Sequence, residues 1–153
     1  MDEVRSMVKE SLYGKYAHID PVKALKEITP ELARRKLKGI SRSCWDLVFH
    51  MNYWQDMILR AYDGDESPAK ANDADSWPNT TNRPSDHEWT ALVEEFEKGL
   101  GRLSNMAEQD DLTQSSKAWP HSSLLRDLFI MIAHNSYHLG QVVQLLRAHQ
   151  GME

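Results

Sequence analysis

A single cysteine, Cys44, is all the thiol this 153-residue chain contains. It excludes an internal disulfide and any thiolate cluster, so a bound metal would have to draw on nitrogen or oxygen, with at most one sulfur. Long apolar runs are missing too. None approaches the roughly 18 residues that span a bilayer, and Met1-Asp2-Glu3-Val4-Arg5 opens no secretory signal. The expectation is a cytoplasmic protein with no membrane partner. An excess of basic charge is also lacking: 18 Lys and Arg face 23 Asp and Glu, for a formal charge of -5. Binding to DNA or RNA relies on neutralising phosphates, so no nucleic-acid partner is expected. The small cluster Arg34-Arg35-Lys36 with Lys38 reads as a solvated face or loop. Finally, no segment carries a convincing strand pattern.

What the sequence does contain is helical periodicity, and its 41% hydrophobic residues suffice for one substantial core, expected as one domain over 1–153. Val4, Met7, Val8, Leu12 and Tyr16 recur at three and four and predict a helix from Val4 to about Tyr16, weakened by Gly14. Asp20-Pro21 starts a second short helix through Ile28, which also reads as the continuation of one bent helix. Thr29-Pro30 opens a linking turn to Gly39. Ser43 and Asp46 resemble a capping box for a helix ending near Tyr62, where Asp63-Gly64 stops it. Residues 63–84 carry Pro68, Pro78 and Pro84 without periodicity and read as one long loop, a length that is often functional. Within it, Trp77 either pins the loop to the helices or roofs a pocket. Ser85 and Glu88 cap a helix carrying Trp89, Leu92, Val93, Phe96, Leu100 and Leu103 to about Gln109. The last helix runs from Ser122 or Ser123 to about His149, roughly 40 Å at 1.5 Å per residue. Four principal helices predict an all-α four-helix bundle with long inter-helix connections.

Three histidines set the functional reading. His134 and His138 stand four apart, above one another on one helix face, and the apolar stripe through Leu128, Met131 and Leu145 turns that face inward. His50 lies on the inward side of its own helix with Leu47, Met51 and Trp54. Neutral imidazole is a common ligand for Zn, Ni, Fe and related ions, and three such ligands leave a position open for water or substrate. Hydrogen-bonded interior histidines, or separate exposed ones, are the alternatives that the spacing leaves standing.

Neighbouring residues carry paired readings. Asp46 either caps its helix or receives the ring proton of His50. Gln141 is within reach of a ligand, a bound water or a neighbouring backbone group. Asn135 and Tyr137 lie off the ligand face and suit inter-helix links, with a catalytic Tyr137 as the sharper alternative. Gly140 suits a close helix approach. His87 and His121, near helix starts, read as solvated or cap residues, with extra ligands or proton carriers as the alternative; His18 and His149 carry less signal. Cys44 reads as a buried, inert thiol.

The segments Ser43-Cys44-Trp45-Asp46-Leu47-Val48-Phe49-His50-Met51 and His134-Asn135-Ser136-Tyr137-His138-Leu139-Gly140-Gln141 resemble the two signature regions of the DinB-like superfamily, the DNA-damage-inducible and YfiT-type proteins. The likeness covers nearly the whole chain, and its C-terminal pattern is the specific part. It implies a four-helix bundle of the DinB/YfiT type, a divalent metal held by His50, His134 and His138, and a homodimer. Relatives with assigned activities include transferases and isomerases that use low-molecular-weight thiols.

Two functions are therefore expected to compete. One is a metal-dependent enzyme acting on a small organic substrate, by thiol transfer to an electrophile or by metal-assisted hydrolysis, with a low-molecular-weight thiol as cosubstrate in the first case. The other is a non-catalytic, metal-stabilised stress-response or binding protein, which requires a fourth protein ligand and a shut pocket. Zinc, nickel, iron and manganese all suit three imidazoles, zinc or nickel best.

Overall fold

A computed structural model of the chain describes residues 1–79 and 84–151. The described residues form six α-helices: α1 (Asp2–Leu12), α2 (Pro21–Lys26), α3 (Pro30–Arg34), α4 (Cys44–Tyr62), α5 (Asp86–Gln109) and α6 (Leu124–Gln150). The all-α expectation holds, with no strand among the described residues. The four-helix bundle does not.

The correction comes from the first 40 residues. Gly14 and Tyr16 adopt φ angles of 71° and 67°, a left-handed geometry that a helix cannot continue through, so α1 ends at Leu12 instead of Tyr16. A side chain at position 14 would also collide with the ring of His18. The chain then starts two further helices separately. The Asp20 carboxylate accepts from the backbone N–H groups of Val22 and Lys23, and the Thr29 hydroxyl accepts from that of Leu32, each with proline at the first helical turn. Burial of Val22, Leu25, Ile28 and Ala33 gives these short pieces the tertiary support that helices of six and five residues lack alone. Trp89 of α5 fastens the junction by donating its indole N–H to Ile28 O at 2.9 Å.

The predicted capping boxes at Ser43/Asp46 and Ser85/Glu88 are both formed. Helix α4 packs against α5 and α6, and α1 packs against the same two. The shared core holds Met51 and Val48 of α4, Phe96, Leu100 and Leu103 of α5, and Leu124 and Leu128 of α6, all fully buried. At about 1.5–3 kcal/mol for each large apolar side chain removed from water, this packing fixes the rotation of α4 and α6 about their axes. It thereby fixes which face carries each histidine.

The expectation of a structureless 63–84 segment is corrected as well. Ser67–Lys70 and Ala74–Ser76 are 3₁₀ turns, and both lie on α4. Local bonds replace the missing periodicity: Asn72 Oδ1 accepts from the backbone N–H of Asp75, and the Ser76 hydroxyl donates to Asp73 O at 2.6 Å. Residues 80–83 of the segment lie outside the described residues. No described helix is long and apolar enough to cross a membrane.

Candidate metal centre

Helix α4 brings His50 to α6, where His134 and His138 stand one turn apart. The three residues form a group that could hold a metal ion: one ring nitrogen from each lies within 4.8 Å of the other two. His50 and His138 are buried and His134 is half-buried. An ion with bonds of about 2 Å to nitrogen holds tetrahedral ligand atoms about 3.3 Å apart, so the set needs at most about 1.5 Å of adjustment. His50 Nε2 and His134 Nε2 are already 3.0 Å apart.

Hydrogen bonds at the far side of each ring decide which nitrogens are free. Ser76 Oγ donates its proton to Asp73 O, so toward His50 Nδ1, at 2.8 Å, it acts as acceptor. His50 thus carries its proton on Nδ1 and keeps the Nε2 lone pair. His138 Nδ1 lies 2.6 Å from Gln141 Oε1; with the amide oxygen accepting, Nε2 is again the free nitrogen. His134 differs. Its short contact with His50 Nε2 needs one shared proton, which His134 Nε2 supplies because His50 holds its own on Nδ1. That leaves His134 Nδ1 buried without a hydrogen-bond partner among the described residues, as Oδ1 of the adjacent Asn135 also is. Asn135 favours a proton on the His134 ring, although the two close no hydrogen bond. A cation in place of the shared proton would return the His134 proton to Nδ1, where Asn135 Oδ1 is the available acceptor. The donor set therefore fits a divalent ion.

The residues 21–142 match the family model of the DinB superfamily. The chain belongs to the DinB superfamily. All three histidines lie within the matched region, and the match does not single out the YfiT-type members. Comparison with curated proteins and with solved structures gives no significant match.

Electrostatics in this DinB-superfamily chain favour a neutral, ligand-ready cluster. Burial first, then the neighbouring His138, pushes His50 down to about 4; burial, His138 and His50 do the same to His134. Burial also lowers His138, opposed by Gln141 and Asp73. Trp77 covers one side of the cluster, stacked on the His50 ring at 3.9 Å and 7°. It both pins its loop and walls a cleft of about 930 Å³ that opens beside His138.

The paired readings resolve in different directions. Asp46 is a cap: its carboxylate accepts from Ser43 N at 2.8 Å and faces Lys36 at 3.6 Å, and Ser76 takes the His50 proton instead. Cys44 is fully buried, and burial pushes its thiol up to about 12, an inert group. Asn135 links helices as expected, donating to Gln55 Oε1 on α4 at 3.1 Å. Tyr137 forms no inter-helix hydrogen bond among the described residues: it is 66% exposed and stands edge-on to His138 at the rim of the cleft. Gly140 faces open space, with no atom of the described residues within 4 Å of where a Cβ would sit, so the expected close helix approach is absent. His87 and His121 are exposed, His18 bonds Ser136 across to α6, and His149 is fully buried; none joins the cluster.

Three contributors escaped the sequence reading. Ser76 sat in a segment without periodicity, although Asn72 and Asp73 just before it are turn-forming residues. Arg42 lies in a connection, where nothing marks its contact with Trp77. Gln55 had a usable signal: with Asn52 it forms a polar pair three apart among the apolar residues Met51, Trp54, Met57 and Ile58. Gln55 is 2% exposed and donates to Phe96 O on α5 at 3.3 Å, tying Asn135 to a third helix.

Proposed function

We propose that this protein is a divalent-metal-dependent enzyme acting on a small organic substrate, with thiol transfer to an electrophile favoured over metal-assisted hydrolysis. The observation carrying this reading is the three-imidazole cluster, with one ring nitrogen of each histidine within 4.8 Å of the other two and a cleft open beside it. When bound by His50, His134 and His138, a zinc- or nickel-like ion would supply Lewis acidity that lowers the pKa of a thiol or water.

The chain's own residues orient and shield. Ser76 and Gln141 fix the ring tautomers of His50 and His138, and Trp77 shields the His50 face from water. Among the described residues the metal-competent group includes no carboxylate, and Asp73 is engaged through its side chain with the indole N–H of Trp77. Hydrolysis needs a general base to take a proton from water; thiol transfer needs less. In it, the thiol releases its proton to solvent, its sulfur bonds to an electrophilic carbon, and the leaving group departs with the bonding pair. A non-catalytic metal staple would call for a fourth protein ligand and a closed pocket, whereas the group has three members among the described residues and the cleft is open. A homodimer fits the apolar surface that Phe129 and Ile130 leave on α6, each about half exposed.

Protein prepared without a histidine tag and loaded with zinc or nickel, assayed with a panel of low-molecular-weight thiols against alkyl and acyl electrophiles, tests the reading. Turnover that requires the ion and disappears in His138→Ala supports it. Stoichiometric metal without turnover of any pair would favour the non-catalytic alternative. Sedimentation at micromolar concentration, compared with Ile130→Glu, tests the dimer.

A further inference from the structure

The cleft beside His138 has a chemical character of its own. Leu37, Ile40, Leu47 and Leu145 give it apolar walls, and among the described residues its lining includes no Asp or Glu, in a chain where acids outnumber bases. Among the described residues its one fixed cation is Arg42. That guanidinium is half-buried, lies 4.0 Å over the Trp77 ring, and makes no ion pair or hydrogen bond among the described residues. Stacking on an aromatic face leaves the N–H edge of a guanidinium available, and that edge matches a carboxylate with two parallel hydrogen bonds.

Gly140 supplies a second, independent indication. Helix interiors disfavour glycine, and here no close helix packing calls for one, since an added Cβ would meet nothing within 4 Å. The bare backbone instead lines the cleft and leaves it open next to His138. A volume of about 930 Å³ suits a small organic molecule.

We propose that this cleft binds a small organic carboxylate, its apolar body along Leu37, Ile40 and Leu47 and its carboxylate on Arg42, with the opposite end reaching the histidines. Arg42 and His50 both pack on the Trp77 ring, at 4.0 Å and 3.9 Å, so an anion on Arg42 is held beside that indole instead of on the imidazoles. The assignment of the far end as the reacting end rests on the function proposed above; the carboxylate site itself does not.

Calorimetry with hexanoate and its neutral isostere hexanamide separates the two ideas, using protein as purified, stripped by chelator, and reloaded with zinc. The expected result is a preference for hexanoate of tenfold or more in all three states. Arg42→Gln should bring hexanoate to the level of hexanamide without changing hexanamide. Gly140→Leu, with its helix content verified by circular dichroism, should weaken both probes by tenfold or more. Equal binding of the two probes to wild type overturns the proposal, as does no measurable binding of either at millimolar concentration. A hexanoate preference seen only with zinc and surviving Arg42→Gln also overturns it, because the carboxylate would then be on the ion. If the protein takes up no zinc, the function proposed above fails while the stripped protein still reports on Arg42.

Discussion

Replacing Ser76 by alanine tests whether a hydroxyl from an irregular segment governs the histidine cluster. Ser76 Oγ is the acceptor for His50 Nδ1–H at 2.8 Å, and both residues are buried, Ser76 completely. In the stripped protein, Ser76→Ala leaves His50 free to move its proton to Nε2 and share it with His134 Nε2, 3.0 Å away. With an ion on Nε2 that escape is closed, and the Nδ1 proton is buried without a partner. A buried unsatisfied donor costs about 1–3 kcal/mol, and losing the hydrogen-bond partner of a ligand histidine lowers metal affinity by about 10- to 100-fold, which is the same range. Gln141→Ala is the internal comparison. Gln141 is exposed, so water can replace its amide oxygen on His138 Nδ1, and about threefold or less is expected. Competition against a chromophoric zinc chelator at pH 7.5 measures both. A Ser76→Ala affinity within twofold of wild type, or a larger loss in Gln141→Ala, would refute the reasoning.

Three further outcomes are expected. In the metal-free protein, burial disfavours protonated His50 and His134 in the folded chain alone, holding them near 4 against an ordinary 6.5. As pH falls, the unfolded chain takes up these protons first, so stability to urea should be complete above about pH 6.5 and decline down to about pH 4; a midpoint that is flat or rises over that window contradicts the assignment. Gly99→Ala should destabilise by about 1 kcal/mol despite alanine's better helix propensity, since its Cβ would lie 2.8 Å from Gln55 Nε2, which is held on Phe96 O. In a Gln55→Ala background the same change should become stabilising, and thermal melts of the four proteins in this cycle measure the coupling. Cys44 should resist a thiol reagent at pH 8 in the native protein and react fully in denaturant; native labelling would mean that the α4–α6 packing opens.

Legibility in the sequence followed how local each cause was. Ser43 and Ser85 mark their helix starts because a cap acts within three residues, and both form; for the last helix the structure picks Ser123 from the pair Ser122 or Ser123. His134 and His138 were readable as a pair because i,i+4 spacing on a helix fixes a shared face. The phase of the apolar stripe on each helix turned His50 toward them, since burial of Leu47, Met51, Leu128 and Met131 sets the rotation. The helix count failed where periodicity is shortest: six- and five-residue helices started by Asp20-Pro21 and Thr29-Pro30 depend on burial against α4 and α5, which no local window contains. Ser76, Arg42 and Gln55 were missed or undervalued because their partners are 26, 35 and 80 residues away in the chain. Gly140 was misassigned for the converse reason: a glycine that admits a neighbouring helix and one that leaves a cleft open look the same in sequence.

The central claim is that His50, His134 and His138 act as one ligand set, and metal stoichiometry tests it most directly. Protein expressed without a histidine tag, dialysed and measured by inductively coupled plasma mass spectrometry alongside His50→Ala, His134→Ala and His138→Ala, should carry one divalent ion per chain in the wild type. Each variant should lose most of it while keeping its helical circular dichroism. Wild-type protein without metal after incubation with zinc or nickel, or folded variants that retain the full complement, would contradict the account.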